Sequence, residues 1–144
     1  MKQRHNNNWQ RRHFSLIEIM VVLIIIGLIL GLAVPAVMNQ LESAKQKAAK
    51  AEVLLLEDCV NSYYLDMNAY PDDLQALVQS SSKKWKGPYI EKGQLPTDPW
   101  GNDYEYKKSS SRPNLKFEIV SYGADGVPGG QKFDADIGNW SEEE

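Results

Sequence analysis

The pattern of hydrophobic and polar positions divides the 144-residue chain into an apolar stretch, a patterned helical stretch and a mixed remainder. From Ile19 to Met38 twenty consecutive residues carry no charge, and Val, Leu and Ile dominate. At the rise of an α-helix this stretch is about 30 Å long, which matches the hydrocarbon thickness of a bilayer. The pattern therefore predicts a membrane-spanning helix near the N-terminus.

The next thirty residues or so, 38–67, keep a helical spacing but become charged. Apolar side chains recur every three or four positions and predict one buried stripe, made of Leu41, Ala44, Ala48, Ala51, Leu55, Cys59 or Val60, and Tyr63. Charged side chains on the other faces are expected to be solvated, namely Lys45, Lys47, Lys50 and Glu52. Proline breaks the helical hydrogen-bond ladder, so a kink or a melted stretch is expected at Pro35. The helix is expected to end at Asn68–Pro71.

The remainder predicts a small head with mixed structure. A short helix is expected within residues 72–83, followed by exposed lysines 83, 84 and 86 around Trp85. Alternating positions predict one strand at Tyr104–Tyr106 and an antiparallel partner around Leu115–Val120. The predicted class is α+β: a long N-terminal α-helix, half transmembrane and half amphipathic, packed on a small antiparallel β-sheet of two or three strands.

The net charge of −3 conceals an asymmetry along the chain. Residues 1–13 carry four Lys or Arg and no acid, which leaves 12 of the 16 basic residues to face all 19 acids, a formal charge of −7. An acidic body does not favour nucleic acid as a partner. A basic start before an apolar stretch places the N-terminus in the cytoplasm and the body across the membrane.

Few residues are available for catalysis. Both histidines, His5 and His13, lie in the first thirteen residues, and the single Cys59 permits no internal disulfide. These counts disfavour histidine-dependent hydrolysis and multi-cysteine zinc sites, and we expect no enzyme activity. Cys59 is predicted to be a buried small hydrophobe with a raised pKa. A membrane-anchored periplasmic enzyme and a calcium-dependent surface-binding module remain as alternatives.

One carboxylate stands at the start of the apolar stretch. A charge at membrane depth costs roughly 2–3 kcal/mol on insertion scales, so Glu18 is expected to have a cationic partner. The residues alone leave three interpretations of the stretch: a cleaved secretory signal, a plain uncleaved anchor, or a functional helix that uses Glu18. The apolar stretch is longer than the usual hydrophobic region of a signal peptide.

The segment from Arg11 to Val22, RRHFSLIEIMVV, resembles the prepilin signal of type IV pilins and type II secretion pseudopilins. The resemblance implies cleavage between His13 and Phe14 by a prepilin peptidase and N-methylation of Phe14. It also implies that Glu18 pairs with the Phe14 ammonium of a neighbouring subunit during assembly. The family nearly always has glycine before the cut, where this chain has His13.

Two head segments narrow the resemblance to the major pseudopilins of type II secretion systems. They are LPTDPWGNDYEY, Leu95 to Tyr106, and SYGADGVPGG with DADIGNW, between Ser121 and Trp140. The resemblance implies a subunit that polymerises into a periplasmic pseudopilus and drives the export of folded proteins across the outer membrane. The alternative is a type IV pilus subunit for adhesion or DNA uptake, but such pilins usually close the C-terminal region with a cysteine pair.

The same resemblance implies partners and a location. The chain would polymerise with itself and meet minor pseudopilins, the prepilin peptidase and the inner-membrane assembly platform. It would cross the inner membrane once, with the head in the periplasm. The expected division is a cleaved leader 1–13, an assembly helix 14–38, its amphipathic continuation 39–67, a head 68–140 and an acidic tail 141–144.

A glycine-rich loop, residues 121–140, carries three carboxylates: Asp125, Asp134 and Asp136. Calcium prefers six to eight oxygen ligands, and glycines let a loop turn its carbonyls inward. From the residues alone, a metal site and a solvated acidic turn both remain open. The resemblance implies one structural calcium, bound by Asp125 and Asp136, with Asp134 and the Tyr122 backbone oxygen as further candidate ligands.

Overall fold

The computed structural model describes residues 14–91 and 93–140. Its elements follow in the order α1 (Leu16–Met67), a 3-10 helix (Leu74–Leu77), β1 (Glu105–Lys107), β2 (Glu118–Ser121), a second 3-10 helix (Lys132–Asp134) and β3 (Ile137–Gly138). The three strands form one antiparallel sheet in the order β1–β2–β3. The long helix and the small antiparallel sheet confirm the predicted α+β class. The predicted leader and acidic tail lie outside the described residues.

The chain divides into two compact units, one up to Asn39 and one from Gln40 onward. In the described part of the first unit, α1 presents its apolar side chains to the surroundings, and Leu28 and Leu32 are 69% and 76% exposed. The helix continues through Pro35 without interruption, so the expected melted stretch is wrong and the kink stays a prediction. A helix that is apolar all round and uncovered by its own chain needs lipid or other protein around it.

The second unit has a single core between α1 and the sheet. Its buried residues come from the helix, the first 3-10 helix and the strands: Val53, Leu56, Cys59, Val60, Tyr63, Leu74, Leu77, Ile90, Tyr104, Phe117 and Ile119. Cys59 is 8% exposed, as predicted. Burial is the main cause that raises the pKa of its thiol, and the nearby Asp58 charge adds to it.

The face of α1 that packs on the head is not the predicted stripe. Its predicted members between residues 41 and 55 are all exposed: Leu41, Ala44, Ala48, Ala51 and Leu55. The buried positions are instead Ala49, Val53, Leu56, Cys59, Val60 and Tyr63. Both sets satisfy a helical spacing, because this part of the helix is apolar on two faces and the head covers only one. The predicted burial is therefore confirmed for Cys59, Val60 and Tyr63, and it is wrong for the five preceding positions.

The helix ends where the sequence predicts. Asn68 has a left-handed backbone, φ +56°, which asparagine tolerates better than most side chains. Its amide donates to the Tyr64 carbonyl at 2.7 Å and closes the last turn. The following short helix is only the 3-10 turn Leu74–Leu77, capped by Asp73, whose carboxylate accepts the Ala76 amide at 3.1 Å. The three lysines around Trp85 are exposed, as predicted.

Strand β2 lies at the centre of the sheet and departs from the expected alternation. All four of its residues are buried, Glu118 included. Glu118 accepts hydrogen bonds from the Ser110 hydroxyl at 2.6 Å and the Ser111 amide at 3.2 Å, which offsets the cost of burying its carboxylate. β3 pairs with β2 on the other side from β1 and delivers the end of the glycine-rich loop to the sheet.

Candidate functional site

The N-terminal end of α1 carries the predicted assembly residues. Phe14 is 73% exposed, and Glu18 lies exposed in the first turn of the helix. A carboxylate at this position is favoured by the helix dipole. Among residues 14–91 and 93–140, no cation lies within 4.0 Å of Glu18. The described part of the chain therefore supplies no cationic partner for Glu18, although a carboxylate at membrane depth needs one. His13 lies outside the described residues.

Most of the exposed large hydrophobic side chains among the described residues lie in the apolar part of α1. Within the part of the chain that the structure describes, this is the one helix long and apolar enough to cross a membrane, and none of its most apolar window is buried. Such a surface is stable in contact with lipid tails or with equally apolar helices, and costly in water. The apolar part of α1 can therefore move from contact with lipid to contact with other protein.

The glycine-rich loop leaves β2 through a tight turn at Gly123, where φ is +68°. A side chain there would place a Cβ 2.8 Å from the Phe133 carbonyl, so the turn requires glycine. The Ala124 amide donates to the same carbonyl at 2.9 Å, which ties the start of the loop to its second half. The loop is thus closed on itself by backbone contacts rather than by apolar packing.

The three candidate carboxylates do not come together. The Asp125 carboxylate accepts the Val127 amide at 3.2 Å, and the Asp136 carboxylate accepts the Gly129 amide at 2.9 Å. Asp134 lies in the second 3-10 helix. In the described ranges, no group of three acidic, cysteine or histidine side chains is placed to hold a metal. Asp125 and Asp136 therefore each hold one amide of the short segment 127–129.

A buried carboxylate, Asp98, joins the glycine-rich loop to the preceding turn. Asp98 is 3% exposed. One of its oxygens accepts the Asn102 amide at 2.8 Å and the Trp100 amide at 3.1 Å; the other accepts the Ser121 hydroxyl at 2.6 Å. The Asn102 side chain donates to the Gly123 carbonyl at 3.3 Å. The turn 98–102 therefore supports the point where the loop begins.

Two residues of α1 hold the other end of the loop. The Lys50 ammonium donates to the Gly138 carbonyl at 2.7 Å and to the Trp140 carbonyl at 2.8 Å. The Gln46 side chain donates to the carbonyl of Lys132, a residue in the left-handed region with φ +56°. The expectation that Lys50 is merely solvated is wrong, because it anchors the C-terminal end of the head to the helix.

Other charged side chains of α1 also have partners in the head. Glu52, expected to be solvated, accepts the Tyr104 hydroxyl at 2.5 Å. Glu42 accepts the Trp100 indole N–H at 2.7 Å, and Lys45 bonds its other oxygen at 3.1 Å. These hydrogen bonds lower the pKa of the Glu42 carboxyl, that from Trp100 most. Sequence reasoning missed these anchors, since their partners are fifty or more positions away along the chain.

Comparison with known proteins places these features in a family. The model of the family "Type II secretion system (T2SS), protein G" matches residues 36–140. The type II secretion system core protein G of Pseudomonas aeruginosa is 42% identical over 140 residues, which cover 91% of this chain and 96% of that protein. The protein of the same name from Vibrio cholerae is 37% identical over 134 residues, 89% of this chain and 90% of that one.

The fold is likewise similar to a solved structure. The crystal structure of the major pseudopilin from the type 2 secretion system of enterohaemorrhagic Escherichia coli superposes with a TM-score of 0.54 at 34% identity. The match covers 76% of this chain and 97% of that one. The long helix packed on a three-stranded sheet is therefore shared.

Proposed function

Because this chain belongs to the type II secretion system protein G family, we propose that it is the repeating subunit of a periplasmic pseudopilus. It polymerises with itself, and growth of the fibre drives the export of folded proteins across the outer membrane. The observation that carries this function is the uncovered apolar length of α1 joined to a small folded head. The family is one of structural subunits, and no catalytic step enters the proposal.

Before assembly the subunit is stored in the inner membrane. The basic residues that precede the apolar stretch favour an N-terminus in the cytoplasm, which leaves the head in the periplasm. Minor pseudopilins and the inner-membrane assembly platform are the expected partners for initiation and growth. The acidic body gives no reason to expect nucleic acid. A type IV pilus role in adhesion or DNA uptake is not favoured, since the relatives described above carry the secretion-system name.

Processing supplies a cation for Glu18. Cleavage between His13 and Phe14 by the prepilin peptidase creates a new ammonium at Phe14, which is then methylated. In the fibre, Glu18 of an incoming subunit pairs with the Phe14 ammonium of its neighbour. A buried carboxylate without a cation is strongly unfavourable in an apolar surrounding, so a subunit that docks out of register is rejected.

The test follows the protein in cells that carry its cognate secretion genes. The intact mass of the membrane-bound protein should correspond to a chain that starts at Phe14 with one added methyl group. Cells that lack the protein should lose export and form no fibre, and the wild-type chain should restore both. A processed chain that restores neither fibre nor export would refute the assignment. Glu18→Gln is expected to be processed normally yet to assemble poorly, which separates the two steps.

We also propose that the glycine-rich loop binds one calcium ion. Asp125 and Asp136 are the main side-chain ligands, and the Tyr122 backbone oxygen and Asp134 are the further ligands. The support is the donor chemistry: two carboxylates that hold the same short segment, in a loop whose glycines free its carbonyls. When bound, the ion would cross-link a loop that has little apolar surface.

The calcium proposal is tested by direct binding. Isothermal titration with calcium should give one site, and Asp136→Asn should abolish it, whereas the exposed Asp103→Asn should leave it intact. Chelation should also speed backbone hydrogen exchange in residues 122–136 without unfolding the core. Titration heat that is unchanged by Asp125→Asn and Asp136→Asn together would refute these ligands.

A further inference from the structure

A groove of about 510 Å³ opens on one side of α1, between the helix and the end of the glycine-rich loop. Three ammonium groups line it, those of Lys47, Lys50 and Lys132, against the single carboxylate of Asp136. Lys47 and Lys132 are exposed. We refer to Lys47, Lys50 and Lys132 as the basic flank of the head.

A second groove of about 680 Å³ opens between α1 and residues 89–96. Its walls are apolar, and its acidic lining consists of Glu52, Asp58 and Glu91. Within ranges 14–91 and 93–140, no cationic side chain lines it. Asp58 and Glu91 are exposed. We refer to Glu52, Asp58 and Glu91 as the acidic flank.

The two flanks lie at different heights along α1. Lys50 and Glu52 are about 200° apart around the helix axis, whereas Lys47 and Asp58, eleven positions apart, lie within about 20° of each other on one side of it. The helix positions that line the first groove centre near residue 48 and those of the second near residue 57, an offset of about 14 Å along the axis. The two surfaces are therefore different patches of the head. A contact between them is not the self-complementary contact of a two-fold dimer.

The exposed charges of both flanks form no ion pair with any other residue that the structure describes. In the described part of the chain, Lys47, Lys132, Asp58 and Glu91 have no oppositely charged group within 4.0 Å. Beside the flanks, α1 exposes an apolar line that its own head leaves uncovered and whose last member also lines the acidic groove: Leu41, Ala44, Ala48, Ala51 and Leu55. Opposite charges at two heights beside an uncovered apolar line suit a second copy of the same chain.

We propose that the basic flank of one subunit docks onto the acidic flank of the next. This inference rests on the proposed polymerisation and names the head surfaces that carry it. Different patches that meet head-to-tail make a heterologous contact, and the axial offset turns its repetition into a screw rather than a closed ring. In this contact, the aliphatic parts of the lysine side chains of one subunit cover the apolar walls of the acidic groove of the next. Their ammonium groups lie beside the carboxylates at the rim of that groove. Such rim charges fix register and speed encounter.

The test reverses each flank in the full-length chain, in cells that carry the secretion genes. The reversals use Lys47→Glu with Lys132→Glu, and Asp58→Lys with Glu91→Lys. Lys50 and Glu52 stay unchanged because each also holds its own head together. Either reversal alone should lower the ratio of fibre to membrane-held subunit roughly tenfold. Both reversals in one chain should restore the ratio, since each contact is then re-formed with the charges exchanged.

Mixed assembly sharpens the test. A chain with both flanks acidic and a chain with both flanks basic should each fail alone and form fibres together. The control is Lys83→Glu with Lys84→Glu, which makes the same change in charge on exposed lysines outside both grooves. Fibres that form normally from singly reversed chains, or a fourfold-reversed chain that stays defective, would overturn the inference. Absence of fibre from the wild-type chain would instead overturn the proposed function.

Discussion

At the scale of single residues, the head is held to α1 by polar side chains whose partners are distant in sequence. Lys50 alone binds two carbonyls at the C-terminal end of the head, and Asp98 satisfies three donors at the start of the glycine-rich loop. A helix spacing cannot distinguish Lys50 from Lys47, although Lys50 anchors the head and Lys47 is exposed on the helix surface. The sequence marks the motif around Asp98, but only the fold brings Ser121 to it.

Lys50→Met is therefore expected to destabilise the head. The methionine keeps most of the aliphatic stem but removes two charge-assisted hydrogen bonds, which together contribute about 2–3 kcal/mol. The loss should appear as a lower midpoint in urea unfolding of the detergent-solubilised protein. Lys47→Met is the matched control and should change the free energy of unfolding by less than about 0.5 kcal/mol. Equal effects of the two substitutions would contradict the anchoring role.

At the scale of elements, α1 is apolar on two faces, which explains why the buried stripe predicted between residues 41 and 55 is wrong. Periodicity identifies that a helix has an apolar face, but it cannot choose between Leu55 and Leu56 when both belong to acceptable stripes. The end of α1 and the presence of two strands could be predicted, because their signals are local, although the strands begin later than predicted, at Glu105 and Glu118. The burial of all four residues of β2 could not be predicted, because it depends on what covers the sheet from both sides.

Leu55 and Leu56 offer a direct test of the corrected face. Leu56 is 1% exposed and Leu55 is 61% exposed. Leu56→Ala should cost about 3 kcal/mol of stability through lost burial and a residual cavity, whereas Leu55→Ala should be nearly neutral in the monomer. Denaturant unfolding of the two variants measures this. Leu55→Ala should instead reduce fibre yield. If Leu55→Ala destabilised the protein more than Leu56→Ala, the stripe predicted from the sequence would be the buried one.

The contact between the end of α1 and the residues after the first 3-10 helix gives a pH dependence. Lys86 donates to Asp66 at 2.9 Å and Tyr89 donates to its other oxygen at 2.9 Å. The Lys86 contact first, and the Tyr89 hydroxyl second, lower the pKa of the Asp66 carboxyl below its usual 3.8. A lowered pKa means stability that is present above the unfolded value and lost as pH falls through the folded value.

The difference in Tm between the wild-type chain and Asp66→Asn should therefore be constant near neutrality and should shrink below about pH 3.8. Thermal unfolding followed by circular dichroism across this range measures it. Asp58→Asn serves as the control, because Asp58 is exposed and its substitution should change the Tm little. A difference that grows on acidification would reverse the assigned sign.

At the scale of the whole molecule, the two units have separate requirements. The whole core of the head lies in the second unit, from Val53 to Ile119, whereas the first unit has only uncovered helix in its described part. The order of these parts could be predicted from hydropathy and charge alone. The separation of the loop carboxylates Asp125, Asp134 and Asp136 could not, because it depends on a backbone path that no sequence pattern specifies.

A chain shortened to residues 40–144 is expected to fold as a soluble monomer. It retains every residue of the core and both anchors at Gln46 and Lys50, and it loses the helix that needs lipid. Analytical ultracentrifugation should give a single monomer species, and near-ultraviolet circular dichroism should show fixed aromatic packing. Aggregation in water, or a spectrum without tertiary signal, would mean that the first unit is needed for folding.

The uncovered helix also has a thermodynamic consequence for how a fibre grows. Lipid tails are as apolar as the side chains of a neighbouring subunit, so moving this surface from bilayer to fibre gains little from the hydrophobic effect. The free energy of polymerisation must then come from contacts that lipid cannot make, namely the pairing of Glu18 and the contacts between heads. Transfer of the helix itself would be nearly reversible, so the length of a fibre would depend on how firmly each head is held rather than on the amount of apolar surface.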